Sequence, residues 1–340
     1  MAKANSAEQY KAQESELLRA VQAQCDTWIA QLDSTHVSSM YATINQGKML
    51  RSKLIIAIAA PHVESTLNAS APESALDSAP SQSSGLSLRE SVIKLCAIIE
   101  LIQCASLLHD DVIDSATSRR GNVSVNAAFG DKSAIMLGDI LYSNAFAQLC
   151  GFSSQIARVV AESVSALSLG EIEDVAYSRA FQPDLEIYYR IVRNKTAALL
   201  ASSAKAAALL VGRDANAYEA YGLNLGMAFQ IIDDLLDITQ DTHTLGKPAL
   251  NDIQEGKSTL PYILLYARLD SNAKEEFLRC FESADSASIA RIQAMLAESC
   301  VLAESKQIAK DFIHKALESI RHERNSKLES IANALIERNH

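Results

Sequence analysis

The 340-residue chain carries 41 Asp and Glu against 31 Lys and Arg, a formal charge of -10, with 48% hydrophobic residues. Net negative charge repels a polyphosphate backbone and argues against a nucleic-acid partner, while the apolar share suffices for a large core. Only 12 Gly and 6 Pro are present, which favours helices over the turn-rich punctuation of a sheet protein.

In chain order, helical periodicity runs over 8–32 and again over 49–60. Residues 62–88, HVESTLNASAPESALDSAPSQSSGLSL, are rich in Ser, Ala and Pro and poor in large apolar side chains. Such a stretch reads as a flexible surface insert, dispensable for activity, inside one domain spanning 1–340. Too little chain precedes it to form a domain of its own. Helices are then expected at 90–113, 133–150, 154–176, 184–211, 215–238, 258–270, 273–281, 286–298 and 303–337. Loops are expected at 115–132 and 239–257, with breaks at Gly121, Gly130, Gly151 and Gly212. The expected fold is therefore all-α.

The six cysteines are scattered without a CxxC pair, as reduced core thiols of a cytoplasmic protein would be. The start, MAKANSAEQYKAQE, is polar, unlike a secretory leader. No run reaches the length of a membrane span, the nearest being 197–211, interrupted by Lys205. Contact with a membrane is expected to be peripheral at most.

Two DDxxD motifs carry the chemistry. Asp110, Asp111 and Asp114 lie in LLHDDVID, and Asp233, Asp234 and Asp237 in FQIIDDLLD. On a helix, residues i and i+4 share a face, so the outer aspartates of each motif point the same way. Like charges so close repel, and a cation is the natural remedy. Oxygen donors without His or Cys suit Mg2+, which bridges carboxylates to substrate phosphates. The competing reading of one DDxxD is a solvated acidic helix end; two copies in apolar helices weigh against it.

Cations flank both motifs: Arg119 and Arg120 follow the first, Lys48 and Arg51 stand upstream in QGKMLRSK, Lys195 adjoins Thr196, and Lys247 and Lys257 follow the second. Singly each is an ordinary surface charge. Together they form the lining that two diphosphates would need.

LLHDDVID with RRG, and FQIIDDLLD with GKP and EGKSTLP, resemble the two aspartate-rich motifs of the trans-isoprenyl diphosphate synthases, also called polyprenyl synthetases. GDILYSNAF, YYRIVRNKTAALL and the GKxxR element extend the resemblance over about 45–262. It implies the isoprenoid synthase fold, about ten core helices around a deep central cavity, and a homodimer. It implies that an allylic diphosphate, farnesyl or geranylgeranyl, condenses with several isopentenyl diphosphates.

By position, Asp110, Asp111 and Asp114 would hold two Mg2+ on the allylic diphosphate. Asp233 and Asp237, with Asp234 in the same acidic set, would hold a third. Arg119, Lys195, Lys247 and Lys257 would contact the allylic diphosphate. Lys48, Arg51, Arg120 and Gln103 would hold isopentenyl diphosphate, and Thr196 and Gln230 would line the reaction centre. His109 falls to a supporting or packing role.

Some positions depart from the family. Gln46 and Met49 replace a Gly and an Arg, which removes one cation; Gln103 stands where many long-chain members have His; Asp174 stands where Gln is common.

Behind the first motif, Ser106 and Ala105 are small where bulky aromatics stop short-chain products, and Ile102 lies a turn further back. The expected product is thus long, roughly C30 to C45 with octaprenyl diphosphate central, the helix rising about 5.4 Å per turn. Phe146 is a candidate floor for the tunnel. Alternatives are a C15–C20 synthase, a terpene cyclase, and a non-catalytic partner subunit.

Overall fold

Leu17, Val21, Cys25, Trp28 and Ile29 recur at helical spacing and are buried on one face of α1 (Ala2–Ala30). This computed structural model describes residues 2–68, 86–178, 180–239, 250–323 and 325–337. Helix α2 (Thr35–Tyr41) starts where the Ser34 side chain accepts from the Val37 N–H. Helix α3 (Leu50–Asn68) is buried all round from Leu54 to Ala60.

The expected break at residue 62 is corrected by α3, which carries on to Asn68 with Pro61 inside it. Neither Gly nor a further Pro lies in the seven residues after Pro61, so nothing there stops the helix. The remainder of the insert, up to residue 85, lies outside the described residues.

Helix α4 (Leu88–Ile113) opens on a reciprocal cap: Ser87 Oγ accepts from the Glu90 N–H, and the Glu90 carboxylate accepts from the Ser87 N–H. It is packed by α1, α3 and a later helix, α6. Among the described residues it, not 197–211, is long and apolar enough to cross a membrane, and most of it is buried in the protein. It ends at Asp114, where Ser115 turns left-handed (φ 51°) and the Ala116 N–H reaches back to the Asp111 carbonyl.

The expected loop at 115–132 holds more structure than its polar composition indicates. Strands β1 (Ser118–Arg119) and β2 (Asn122–Val123) pair antiparallel, and α5 (Val125–Phe129) follows. Both are too short to carry a period a sequence would show. Then come α6 (Asp131–Leu149), α7 (Ser154–Tyr177), α8 (Leu185–Val192), a π-helical turn (Arg193–Ala197), α9 (Ala198–Leu210) and α10 (Ala215–Thr239).

Short α11 (Asn251–Gln254) interrupts the expected 239–257 loop. The rest is α12 (Leu260–Arg268), α13 (Ser271–Ser283), α14 (Ser286–Ala297), α15 (Val301–Ser319) and α16 (Ser326–Ile336). The single helix expected over 303–337 is thus two, because Asn325 recaps the chain by accepting from the Lys327 and Leu328 N–H groups.

Two compact units result, Met1–Val164 with Ser202–Glu219, and Ser165–Ala201 with Ala220–His340. The core of the first is the face of α4 shared with α1, α3 and α6. The second has an aromatic core in which Phe181 meets Phe277 and Phe281 edge-on. A second cluster there joins Tyr188, Val192, Ile231, Leu235 and Leu260.

Candidate active site

In the first unit, the last turn of α4 delivers Asp110 and Asp111, and Asp114 caps it. Asp111 is buried and ion-paired with Arg119, whose Nε donates to Oδ1 at 2.6 Å. Burial pushes the Asp111 carboxyl up, and the Arg119 guanidinium pulls it back. Asn126 fixes this corner by donating to the Asp111 and Ala116 carbonyls, both at 3.0 Å. A small cleft is lined by Asn45, Cys104, Asp111, Arg119, Arg120 and Ser124, among others. Two of its cations and one carboxylate are therefore sequence-predicted site residues.

Arg120 reaches back to the QGKM loop, donating to the Asn45 carbonyl at 2.6 Å. A Cβ on Gly47 would lie 2.4 Å from that guanidinium, and Gly47 itself has φ +65°. Glycine takes this left-handed turn without strain and leaves the guanidinium its place. Met49, in place of the family's Arg, adopts φ 48°, and Gln46 donates to the Tyr41 hydroxyl at 3.0 Å. Lys48 is exposed in this loop.

Arg51 opens α3 with its Nε buried and without a hydrogen-bond partner, and burial lowers its pKa to about 10. The charge that opposes this is Glu100, one of the residues the sequence reading missed. Glu100 is buried in α4 and accepts from Ser52 Oγ at 2.6 Å and Ser52 N–H at 3.3 Å. Its pKa is raised by burial. A lone acid amid CAIIELIQC was its signal, since a buried charge needs a partner.

Gln103 lies half-buried on α4, and Ile102, Ala105 and Ser106 are fully buried there. His109 packs on α6, its Nε2 3.2 Å from the Ile135 carbonyl, against Gly138. Phe146 is 37% exposed on α6 and stacked on Tyr142.

In the second unit, the π-helical turn presents Lys195 and Thr196. Lys195 Nζ sits 2.6 Å from Asp174 and 2.7 Å from Glu171. The turn comes this near to α7 because Gly170 lacks a Cβ, which would stand 2.4 Å from the Lys195 backbone nitrogen. Thr196 Oγ1 donates to Gln230 Oε1 at 2.8 Å, and Gln230 Nε2 donates to Asp234 Oδ1 at 2.9 Å. Tyr188, also missed by the sequence reading, donates to Asp234 Oδ2 at 2.6 Å.

Asp233 is half-buried on α10. Asp234 is buried with both oxygens engaged; burial pushes its carboxyl up, and the hydrogen bonds from Tyr188 and Gln230 pull it back. Asp237 is buried and accepts from the Asp252 N–H at 3.2 Å. Lys257 pairs with Glu255. Lys247 lies outside the described residues.

Among the described residues no three His, Cys, Asp or Glu side chains are gathered to hold one ion. Mg2+ asks for only one or two carboxylates beside phosphate oxygens and water. The hard-oxygen donors Asp110, Asp111, Asp114 and Asp233 fit that demand.

The polyprenyl synthetase family model matches residues 34–299. Solanesyl-diphosphate synthase 1 of Oryza sativa, described as mitochondrial, is 36% identical over 68% of this chain and 54% of its own length. Octaprenyl diphosphate synthase of Escherichia coli is 38% identical over 50% of the chain and 54% of its own length. The chain thus spans about half the length of these curated relatives. The crystal structure of octaprenyl pyrophosphate synthase from Helicobacter pylori superimposes with a TM-score of 0.84 at 40% identity, covering 95% of this chain and 99% of that one. Polyprenyl synthase from Caulobacter crescentus, solved with calcium and isoprenyl diphosphate, gives 0.78 at 27% identity over 96% and 98%. The fold is the all-α isoprenoid synthase fold, and the chain belongs to the polyprenyl synthetase family.

Proposed function

We propose that this chain is a trans-prenyltransferase that extends an allylic diphosphate, farnesyl or geranylgeranyl, with successive isopentenyl units. The observation that carries the reading is the Asp111–Arg119 corner at the end of α4: carboxylates for a metal and a guanidinium for phosphate meet beside an open cleft. Family membership supports it. The two units act in this reading as one domain.

Asp110, Asp111 and Asp114 would hold two Mg2+ and Asp233 with Asp237 a third, three ions in all. Bound Mg2+ supplies charge neutralisation on the departing diphosphate. Arg119 and Lys195 exchange their carboxylate partners for phosphate oxygens, and Lys247 and Lys257 add to the same charge. Lys48, Arg51, Arg120 and Gln103 hold isopentenyl diphosphate. The allylic C–O bond breaks, the isopentenyl double bond attacks the allylic cation, and the released diphosphate takes the proton that leaves. Preorganised cations stabilise that charge separation without reorganising during the reaction.

A product of roughly C30 to C45 follows from the small Ala105 and Ser106 on α4, one helical turn being about 5.4 Å. Hexaprenyl, octaprenyl and solanesyl synthases among the relatives support that span, beside a short-chain isoprenyl diphosphate synthase. Exposed Ile135, Met136 and Phe146 on α6 support a homodimer. A cytoplasmic location with peripheral membrane contact for product release completes the reading.

The test is incubation of the purified chain with farnesyl diphosphate, labelled isopentenyl diphosphate and Mg2+, with chromatography of the dephosphorylated products. A ladder ending in one long prenol is the expected result. Products stopping at C15–C20 would mark a short-chain synthase, and no incorporation with any allylic primer would mark a partner subunit.

A further inference from the structure

Tyr188 has no part in the scheme above, yet it anchors a continuous chain of hydrogen bonds within the second unit. The links are Tyr188 Oη to Asp234 Oδ2 at 2.6 Å, Gln230 Nε2 to Asp234 Oδ1 at 2.9 Å, and Thr196 Oγ1 to Gln230 Oε1 at 2.8 Å. Tyr188 and Asp234 are both buried, on α8 and α10. Each link has a direction that chemistry imposes. A carboxylate only accepts, so Gln230 must turn its amide nitrogen toward Asp234 and its carbonyl toward Thr196. A hydroxyl has one proton, and Thr196 spends it on that carbonyl. What remains on the Thr196 oxygen is lone pairs.

We infer that Tyr188 and Asp234 are positioning residues that set the polarity of the Thr196 hydroxyl, so that its oxygen meets the allylic carbon as an acceptor when that carbon becomes cationic. The inference rests on the proposed prenyl transfer and on Thr196 lining its reaction centre. Tyr188 seals the far end of the relay: its hydroxyl donates to the second Asp234 oxygen. A fixed dipole of this kind stabilises charge that develops only in the transition state, and so acts on kcat rather than on ground-state binding.

The test is steady-state kinetics with farnesyl and isopentenyl diphosphates. Tyr188→Phe keeps the buried ring and removes only the hydroxyl; kcat should fall about 10-fold with both KM values within about twofold. Asp234→Asn can turn its own amide nitrogen toward Gln230, inverting the relay, and should cost kcat about 100-fold. Adding Gln230→Glu to that variant restores the polarity, because an asparagine donor then faces a carboxylate that still accepts from Thr196. This double variant should recover about 10-fold of the loss.

Thr196→Ser, which keeps the hydroxyl, should stay within about threefold of wild type, and Thr196→Val should not. A rise in KM at unchanged kcat for Tyr188→Phe, or a double variant no better than the worse single one, would overturn the inference. A wild type that makes no product fells the parent reading and this one with it. An active wild type beside a fully active Tyr188→Phe fells this one alone.

Discussion

Glu100 is buried in α4 and tied to Ser52, while Arg51 carries a buried Nε without a hydrogen-bond partner. The Glu100 carboxyl keeps its proton to higher pH in the folded chain than the ordinary value of 4.5. Across the window upward from 4.5 the native state therefore binds more protons than the unfolded one, and stability falls as pH rises through it. Glu100→Gln should flatten that slope, which thermal unfolding of both chains from pH 4 to 8 would read; parallel curves would refute it. At this scale the sequence displayed residue types well. Of the residues it singled out, Asp111 meets Arg119. What it could not display were partners set by tertiary packing. Tyr188 and Asp234 are 46 residues apart, and Lys195 finds Asp174 across 21. No local period links such pairs.

The π-helical turn depends on one missing methyl group. Gly170→Ala would drive a Cβ to 2.4 Å from the Lys195 nitrogen, so the turn must move. A displacement near 1 Å at a reacting group can cost about 100-fold, and kcat should drop by that order while the far-ultraviolet circular dichroism stays helical. On α4, Ala105 and Ile102 are buried turns behind the aspartates. Ala105→Phe should shorten the longest prenol in the product ladder, and an unchanged ladder would remove α4 as the length determinant. Long elements such as α4, α7 and α10 were legible because their apolar spacing persists over many turns. The β1–β2 pair, α5 and α11 were not, being shorter than any readable period. The break before α16 was missed because its signal is a single residue, Asn325.

For the whole molecule, Met136 is 54% exposed on α6 beside Ile135. Met136→Glu combined with Phe146→Glu should halve the mass seen by light scattering if that face joins two copies; an unchanged mass would place the dimer contact elsewhere. The all-helical class was evident from composition and period, whereas the two-unit division, with each unit drawing on two separated stretches, was not. Helix α4 has a further consequence, and it concerns the chain while it is being made. A nascent segment this apolar is what membrane-insertion machinery recognises. Its packing partners α1 and α3 have already emerged from the ribosome, but α6 closes only at Leu149, 36 residues after α4 ends at Ile113. At about 5–20 residues per second that leaves several seconds of exposure. Glu100 stands at the middle of the 26-residue helix, the depth at which an ionisable side chain is most costly in lipid. One carboxyl at that depth thus raises the cost of passing this segment into lipid while α6 is still being made.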